Sequence, residues 1–484
     1  MTIAISFVLI LAFFMAVGLA SGRKATGERK DYYLASSSVR PWLAGLSAVA
    51  TNNSGYMFIG VIGFTYQTGL ASIWLMFGWI LGDYIASTFI HRRLRQVTAA
   101  TGEASFAAVI ARWYGEAFGT WRRIAAVIMV VFLIAYAGAQ VSAGGKALEG
   151  VLGIDPRVGA ISVAVMVLVY SIVGGIRASI WTDGAQAIAM MAAMTVLLVT
   201  GFVGLGGISG TVEAWEGVPG FLNLFPDDLL LPGVAGIGLF VLGWLFAGFS
   251  VVGQPHIMVR FMALDEDGNM GRARAWYYGY FTIFYALATG VGMLSRIYLP
   301  DLASLDPELA LPRMAVELLP PVLVGLVLAG IFAATMSTAD SLVLSCSAAF
   351  THDLVPQRLE TAFMMKLATA VAVIIALLLA LSENRSVFSL VILAWSTLAA
   401  AFAPLLALYA LRRRVTEPVA IAMLALGVSA ALFWRFGLGW HDRIYEGLPG
   451  IVIPFVFGWI VSKPAGAAKP VGSAEPATSP AGSS

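Results

Sequence analysis

A chain of 484 residues that is 59% hydrophobic and only 12% charged cannot be an ordinary soluble domain, in which about a quarter of residues carry charge. Most of it is therefore expected to lie in lipid. The net charge of +2 is too small to suggest a nucleic-acid binder, and the single cysteine, Cys346, excludes an intrachain disulfide.

A membrane-crossing helix needs roughly 20 mainly apolar residues. About thirteen such runs occur, near 2–20, 41–66, 71–90, 124–147, 158–174, 184–206, 233–254, 275–298, 319–349, 362–381, 387–411, 418–436 and 446–462. The first, Thr2 to Ala20, has no basic residue before it and is longer than a signal-peptide core, so it reads as a retained helix. The ninth is long enough to be tilted or interrupted. Residues 1–462 form one polytopic membrane domain, and 463–484, rich in Ala, Pro, Gly and Ser, are expected to be a disordered tail.

Lys and Arg concentrate in cytoplasmic loops. They follow the first span (Arg23, Lys24, Arg29, Lys30) and the third (Arg92, Arg93, Arg95, Arg112, Arg122, Arg123). They recur after the seventh (Arg260, Arg272, Arg274) and the eleventh (Arg412, Arg413, Arg414). The loop near 207–231 instead carries Glu213, Glu216, Asp227 and Asp228, and the loop at 300–317 is mostly acidic. The N-terminus is thus expected outside and the C-terminus in the cytoplasm.

With no soluble domain left over, function must reside in polar residues inside the spans, which are costly in lipid and face the bundle interior. The second span carries Ala50-Thr51-Asn52-Asn53-Ser54-Gly55-Tyr56, a poor continuous helix because Asn and Ser offer the backbone other hydrogen bonds. Its Asn-Asn-Ser sequon has no meaning at membrane depth. The seventh span carries Gly243, Gly248, Ser250, Gly253 and then Gln254-Pro255-His256, again pointing to a broken helix. Broken helices in corresponding halves mark a transporter's binding site, and five spans separate these two. His256 offers a ligand or proton carrier, though a lone His at a helix end reads first as structural.

In the ninth span Ala334, Ser337, Thr338 and Ser341 share one helix face. Adjacent hydroxyls beside freed carbonyls suit a monovalent cation better than calcium, which prefers carboxylates. Asp340 lies in the same span, and Asp183 follows Trp181-Thr182 near the start of the sixth. Asp183 is read either as functional or as a helix cap, and Asp340 either as functional or as paired with an arginine. The acidic loop Asp265-Glu266-Asp267-Gly268-Asn269 has its glycine at the wrong offset for a calcium loop.

Together, Leu46-Ser47-Ala48 through Ser54-Gly55, Trp181-Thr182-Asp183, Gly253-Gln254-Pro255-His256-Ile257, Met336-Ser337-Thr338, and Ser382-Glu383-Asn384-Arg385 with Ala394-Trp395 resemble the sodium:solute symporter family. The likeness is strongest to bacterial sodium/proline symporters and runs from about Asp31 to Ser462. It implies an all-α membrane protein with a LeuT-type inverted-repeat core, placed in a bacterial inner membrane. It also implies a sodium site built from carbonyls of Ala50, Asn53 and Ala334 and hydroxyls of Ser337 and Thr338. A second cation or coupling site would involve Asp183, Asp340 and Ser341. The solute would meet Asn52, Ser54, Gly55, Tyr56, Tyr136, Ala247 and Phe249.

Several positions depart from the proline-symporter pattern. Asn52 stands for an Asp, Tyr56 and Ala247 for tryptophans, Asp340 for a Ser and Ser341 for a Cys. The loss of an aromatic at Ala247 is expected to enlarge the pocket. The expectation is sodium-coupled import of a small carboxylate-bearing solute, proline first, by alternating access. No nucleic acid, protein partner or enzymatic activity is expected. The rival readings are a transporter-like solute sensor, for which no output domain is evident, and a proton-coupled symporter of the same fold. A channel would need rings of selectivity groups.

Overall fold

In lipid every backbone N–H and C=O must be satisfied within the chain, so an apolar chain crosses as helices. The computed structural model describes residues 1–22, 28–301, 306–382, 386–466 and 470–472. Among these, ten helical stretches are long and apolar enough to cross a membrane, and two shorter apolar helices join them. One of the ten, 41–101, is a pair. The rings of Tyr56 and Trp79 lie 5.6 Å apart, whereas residues that far along one straight helix would be separated by about 35 Å. The reversal occurs at Gly69–Ser72, where Gly69 takes a φ of 61° that favours glycine. The thirteen expected passes are thereby accounted for.

In chain order the helices are Thr2–Gly22 (α1), Arg29–Leu34 (α2), Pro41–Gly55 (α3), Ile62–Thr68 (α4), Ile73–Thr101 (α5), Phe106–Ala111 (α6) and Gly119–Leu152 (α7). Pro156–Gly204 (α8) is two helices joined at Gly175, whose φ of 54° breaks the run. Then come Gly207–Glu216 (α9), Gly233–Phe249 (α10), Pro255–Met262 (α11), Met270–Tyr298 (α12), Ala310–Leu318 (α13), Pro321–Ala348 (α14), Ala362–Ser382 (α15), Val387–Ala410 (α16), Glu417–Leu432 (α17) and Gly447–Val461 (α18).

The apolar windows of α14 and α16 are 83% buried and that of α1 only 22%. The first two are therefore the centre of the bundle and α1 its lipid-facing edge. Small residues let neighbours approach α14 closely: a side chain at Gly330 would come within 3.0 Å of Ala193 on α8. The ninth span is one continuous helix, extended by a wider turn over Ala349–Leu354, and not interrupted.

Two clusters tie the ends of the bundle. At one end Lys146 of α7 donates to Asp306 and Glu308, both at 2.7 Å, and Glu308 accepts from the Val387 and Phe388 amides that open α16. At the other, His352 meets Glu103 at 2.6 Å and Arg122 meets Asp353 at 3.1 Å.

The tail expected to be disordered from 463 begins with a backbone tie: Arg413–Arg414 (β1) pairs antiparallel with Lys463–Pro464 (β2). The Val471 amide also donates to the Trp113 carbonyl. The remainder of the tail, 467–469 and 473–484, lies outside the described residues, as do Arg23, Lys24, Glu383, Asn384 and Arg385.

Candidate ion and solute sites at the broken helices

Both expected breaks are present. In α3 Ser54 takes φ 47° and ψ 177°, a conformation that costs a non-glycine residue free energy and persists only when its surroundings impose it. They do. The Gly55 N–H would bond the Thr51 carbonyl in a continuous helix but donates instead to Gln140 Oε1 of α7 at 2.8 Å. The Tyr56 N–H turns to Ser54 Oγ at 3.0 Å. A side chain at Gly55 would meet Thr335 of α14 at 2.6 Å, so only glycine allows this approach. In the seventh span α10 ends at Phe249, a tight turn follows over Ser250–Gly253, and α11 restarts with Pro255 at its first position.

The Ala50 and Thr51 carbonyls of α3 face the hydroxyl stripe of α14. Ser337 Oγ lies 3.3 Å from the Ala50 carbonyl and 3.1 Å from that of Ala334, and Thr338 Oγ1 donates to the Thr51 carbonyl at 2.8 Å. Ala50, Ala334, Ser337 and Thr338 are thus brought together. Thr338 selects Thr51, which the sequence reading did not include. The Asn53 side chain is fully buried beside them, with neither amide atom hydrogen-bonded. This is a cluster of neutral oxygens without a carboxylate. Each hydroxyl can rotate to present a lone pair, a donor set that fits a monovalent hard cation.

Next to it lies a fixed positive charge. Arg260 was counted from sequence among the loop cations, but it is fully buried in α11. Its Nη2 contacts Asp183 at 3.3 Å and Ser179 at 2.8 Å, bonds Ser341, and its Nε donates to Ser47 at 3.3 Å. Ser47 also donates to Asp183 at 2.6 Å. Asp183 is two turns inside the second half of α8, not a helix cap. Its partner is Arg260, whereas the sequence suggests an arginine pair, with no arginine specified, for Asp340. Ser341 joins the two regions, its hydroxyl lying 2.5 Å from the Ser337 carbonyl and 2.9 Å from Asp340 Oδ1, with one hydrogen to give to either. A guanidinium therefore lies among Asp183, Ser179 and Ser341, two of which belong to the expected second cation or coupling site of Asp183, Asp340 and Ser341.

On the opposite side of the break runs a chain of rings. Phe388 stacks on Tyr56 at 5.3 Å, Trp79 lies 5.0 Å from Trp395, Trp395 6.3 Å from His256, and His256 5.3 Å from Tyr136. Several buried polar atoms around it lack partners: Tyr56 OH, Gln140 Nε2, Gln254 Oε1 and both nitrogens of His256. Orphaned donors and acceptors on an apolar wall are what a small polar solute would satisfy. Ala247 is buried beneath the chain, its carbonyl accepting from the Trp395 indole at 3.0 Å. Phe249 is half-buried, and its ring contact is with Phe246 of its own helix.

The model of the sodium:solute symporter family matches residues 32–427. The chain belongs to the sodium:solute symporter family. This symporter is 30% identical over 450 residues to the high-affinity proline transporter PutP of Bacillus subtilis (strain 168), covering 91% of this chain and 93% of that one. It is 28% identical over 484 residues to a sodium/proline symporter of Staphylococcus aureus (strain JH9), covering 95% and 92%. Its fold matches that of a Na+-coupled sialic acid symporter at 19% identity with a TM-score of 0.80, over 95% of this chain and 97% of that one. It also matches the nucleobase-cation-symport-1 family transporter MHP1 at 14% identity and a TM-score of 0.60, over 88% and 92%. The symporter is a multi-pass membrane transporter of a small solute with the LeuT-type inverted-repeat architecture, and not an enzyme.

In this symporter the sequence gives no role to Trp79, Gln140, Phe388, Asp83 or Tyr277, marks Gln254 only as part of the second break, and offers Arg260 only as a topology marker. Asp83 carried a signal, being a carboxylate inside an apolar span. His256, read as structural, is part of the ring chain.

Proposed function

We propose that this protein imports a small carboxylate-bearing amino or imino acid, proline first, driven by sodium. The single observation that carries the reading is the meeting of the Ser337 and Thr338 hydroxyls with the Ala50 and Thr51 carbonyls beside the break in α3. One sodium held there, with Asn53 close by, bridges α3 to α14 and thereby fixes the Ser54–Tyr56 segment. Solute then binds between that segment and the ring chain of Tyr56, Trp79, Trp395, His256 and Tyr136. Because both ligands need the same backbone arrangement, each favours the other's binding, and that coupling is reciprocal.

Asp183, Asp340 and Ser341 act with Arg260 as the coupling element next to the sodium. Arg260 supplies there the positive charge that a second ion would bring, so one sodium accompanies each solute. The orientation is N-terminus outside and C-terminus in the cytoplasm of a bacterial inner membrane. Residues 1–462 form the transporter domain and 463–484 the tail. Inward sodium entry is then aided by the membrane potential, about 2.3 kcal/mol per charge per 100 mV.

Uptake into proteoliposomes tests this. Labelled proline, other amino acids, small monocarboxylates, pantothenate and sialic acid are each offered with an inward sodium gradient, with potassium instead, and with a proton gradient. Sodium-dependent accumulation that is lost with Ser337→Ala and Thr338→Ala together supports the reading. Solute binding without accumulation under any gradient would point to a sensor, and accumulation driven by protons alone would move the coupling ion.

A further inference from the structure

Asp83 stands one turn from Trp79 on the same face of α5, which places it just beyond the ring chain. It is fully buried. Its carboxylate accepts from Tyr277 OH at 2.7 Å and from Tyr278 OH at 2.9 Å, and Ser87 bonds Tyr278 in turn. Arg274, the charged side chain nearest in sequence to these tyrosines, lies over the rings of Tyr84 and Tyr278 and reaches Tyr84 and Thr88, not the carboxylate. Beyond Tyr277 stands Asn52, whose amide nitrogen is 2.5 Å from the phenol oxygen. Asn52 lies four residues before Tyr56, just ahead of the break at Ser54, and Tyr56 is the ring that opens the chain around the solute site.

The chemistry of this row has one direction. An ionised carboxylate only accepts, and a phenol has one hydrogen to give. Once Tyr277 has given that hydrogen to Asp83, its oxygen can only accept from its other neighbour. The group of Asn52 that faces Tyr277 must then be the NH2, and the amide carbonyl oxygen is turned the other way. Tyr278 satisfies the second oxygen of Asp83 and keeps the carboxylate from turning to other donors. Phe261 closes the far side, its ring 5.7 Å from Tyr277 and 3.7 Å from His91.

We propose that Asp83 is a positioning residue for the solute site: through Tyr277 it holds the Asn52 amide with its carbonyl oxygen toward the solute, so that this oxygen reads the solute's ammonium or iminium N–H. The inference rests on the amino- or imino-acid reading above and adds the group that recognises the nitrogen end. The negative charge stands one phenol behind the pocket wall, and the wall itself presents a neutral acceptor.

The test uses full-length protein in proteoliposomes, with labelled L-proline as probe and tetrahydro-2-furoate, which has a ring oxygen in place of the N–H, as competitor. Asp83→Asn lets either end of the Asn52 amide face the pocket. It should raise KM for L-proline about tenfold or more, the range set by one hydrogen bond to a charged group, with maximal velocity within about twofold. Inhibition by tetrahydro-2-furoate should be unchanged. Tyr277→Phe should do the same, and the two substitutions together should do no more than either alone, because they cut one relay. Asn52→Asp in the Asp83→Asn background puts an acceptor directly at the wall and should restore KM.

Infrared difference spectra between the wild type and Asp83→Asn should lose a carboxylate band. Loss of a protonated carboxyl band instead would overturn the proposal, as would additive effects or equal effects on both ligands. A wild type that transports no amine-bearing solute sinks this inference together with the proline reading. Wild-type proline uptake whose KM is untouched by Asp83→Asn sinks this inference alone.

Discussion

Arg260 shows how much one side chain can decide inside a membrane protein. It meets Asp183, Ser179, Ser341 and Ser47, and all of these are buried. Removing one partner of a buried ion pair leaves an uncompensated charge and typically costs about 3–5 kcal/mol. Arg260→Gln should therefore lower the unfolding temperature of the purified protein and its yield in the membrane. Arg260→Gln combined with Asp183→Asn should recover part of that loss, since Asp183 is then no longer a lone charge, while Asp340 stays in the cluster. A double variant no more stable than the single would show that Arg260 acts through its serines instead. Glu103, just beyond the C-terminal end of α5, offers a pH test. Burial raises its pKa, but the His352 hydrogen bond and the charges of His352, Arg112 and Arg122 outweigh that and hold it below the usual glutamate range. A carboxyl depressed in the folded state contributes stability that is present above its unfolded pKa and lost as pH falls through the folded value. Acidification through the carboxylate range should thus lower the unfolding temperature of the wild type more than that of Glu103→Gln.

For the helices, the question is what keeps α3 open. Gln140 competes for the Gly55 N–H that would otherwise close the helix onto the Thr51 carbonyl. Gln140→Leu removes that competitor, so the helix can re-form and the Thr51 carbonyl is no longer free for Thr338. The sodium concentration at half-maximal uptake should rise about tenfold, the effect of one hydrogen bond to a charged group, while helix content by circular dichroism stays the same. A sodium dependence that does not change would mean that Ser54 alone holds the break. The seventh span needs no such side chain, because Pro255 has no N–H to continue the ladder and Gly253 lies against the backbone of Ala399.

Across the whole molecule, the tie from Lys146 to Glu308 and on to the start of α16 closes one end of the bundle, the end proposed to face outside. A ligand or substitution moves a two-state equilibrium only through differential contacts. Glu308→Gln weakens contacts that belong to the closed form and should shift the population toward the open one. In a Cys346→Ala background, Phe388→Cys reports this: labelling by an impermeant maleimide added outside should be several-fold faster with Glu308→Gln. An equal rate would mean that the tie fastens the loop without gating the pathway.

The sequence by itself determined that this is a helical membrane protein of about thirteen passes, broken twice, with a hydroxyl stripe along its ninth span. These features are local: apolar run length, glycine and proline positions, and helical spacing are written in neighbouring residues. Even so, Arg260 could be mistaken for a loop charge, because it follows an apolar run as a topology-setting arginine would. The tertiary structure decided the partners. That Gln140 holds Gly55, that Arg260 fills the space beside Asp183, and that Asp83 reaches Asn52 through Tyr277 all join residues dozens to hundreds of positions apart. In lipid every buried donor must find an acceptor, and which one it finds depends on how the helices pack.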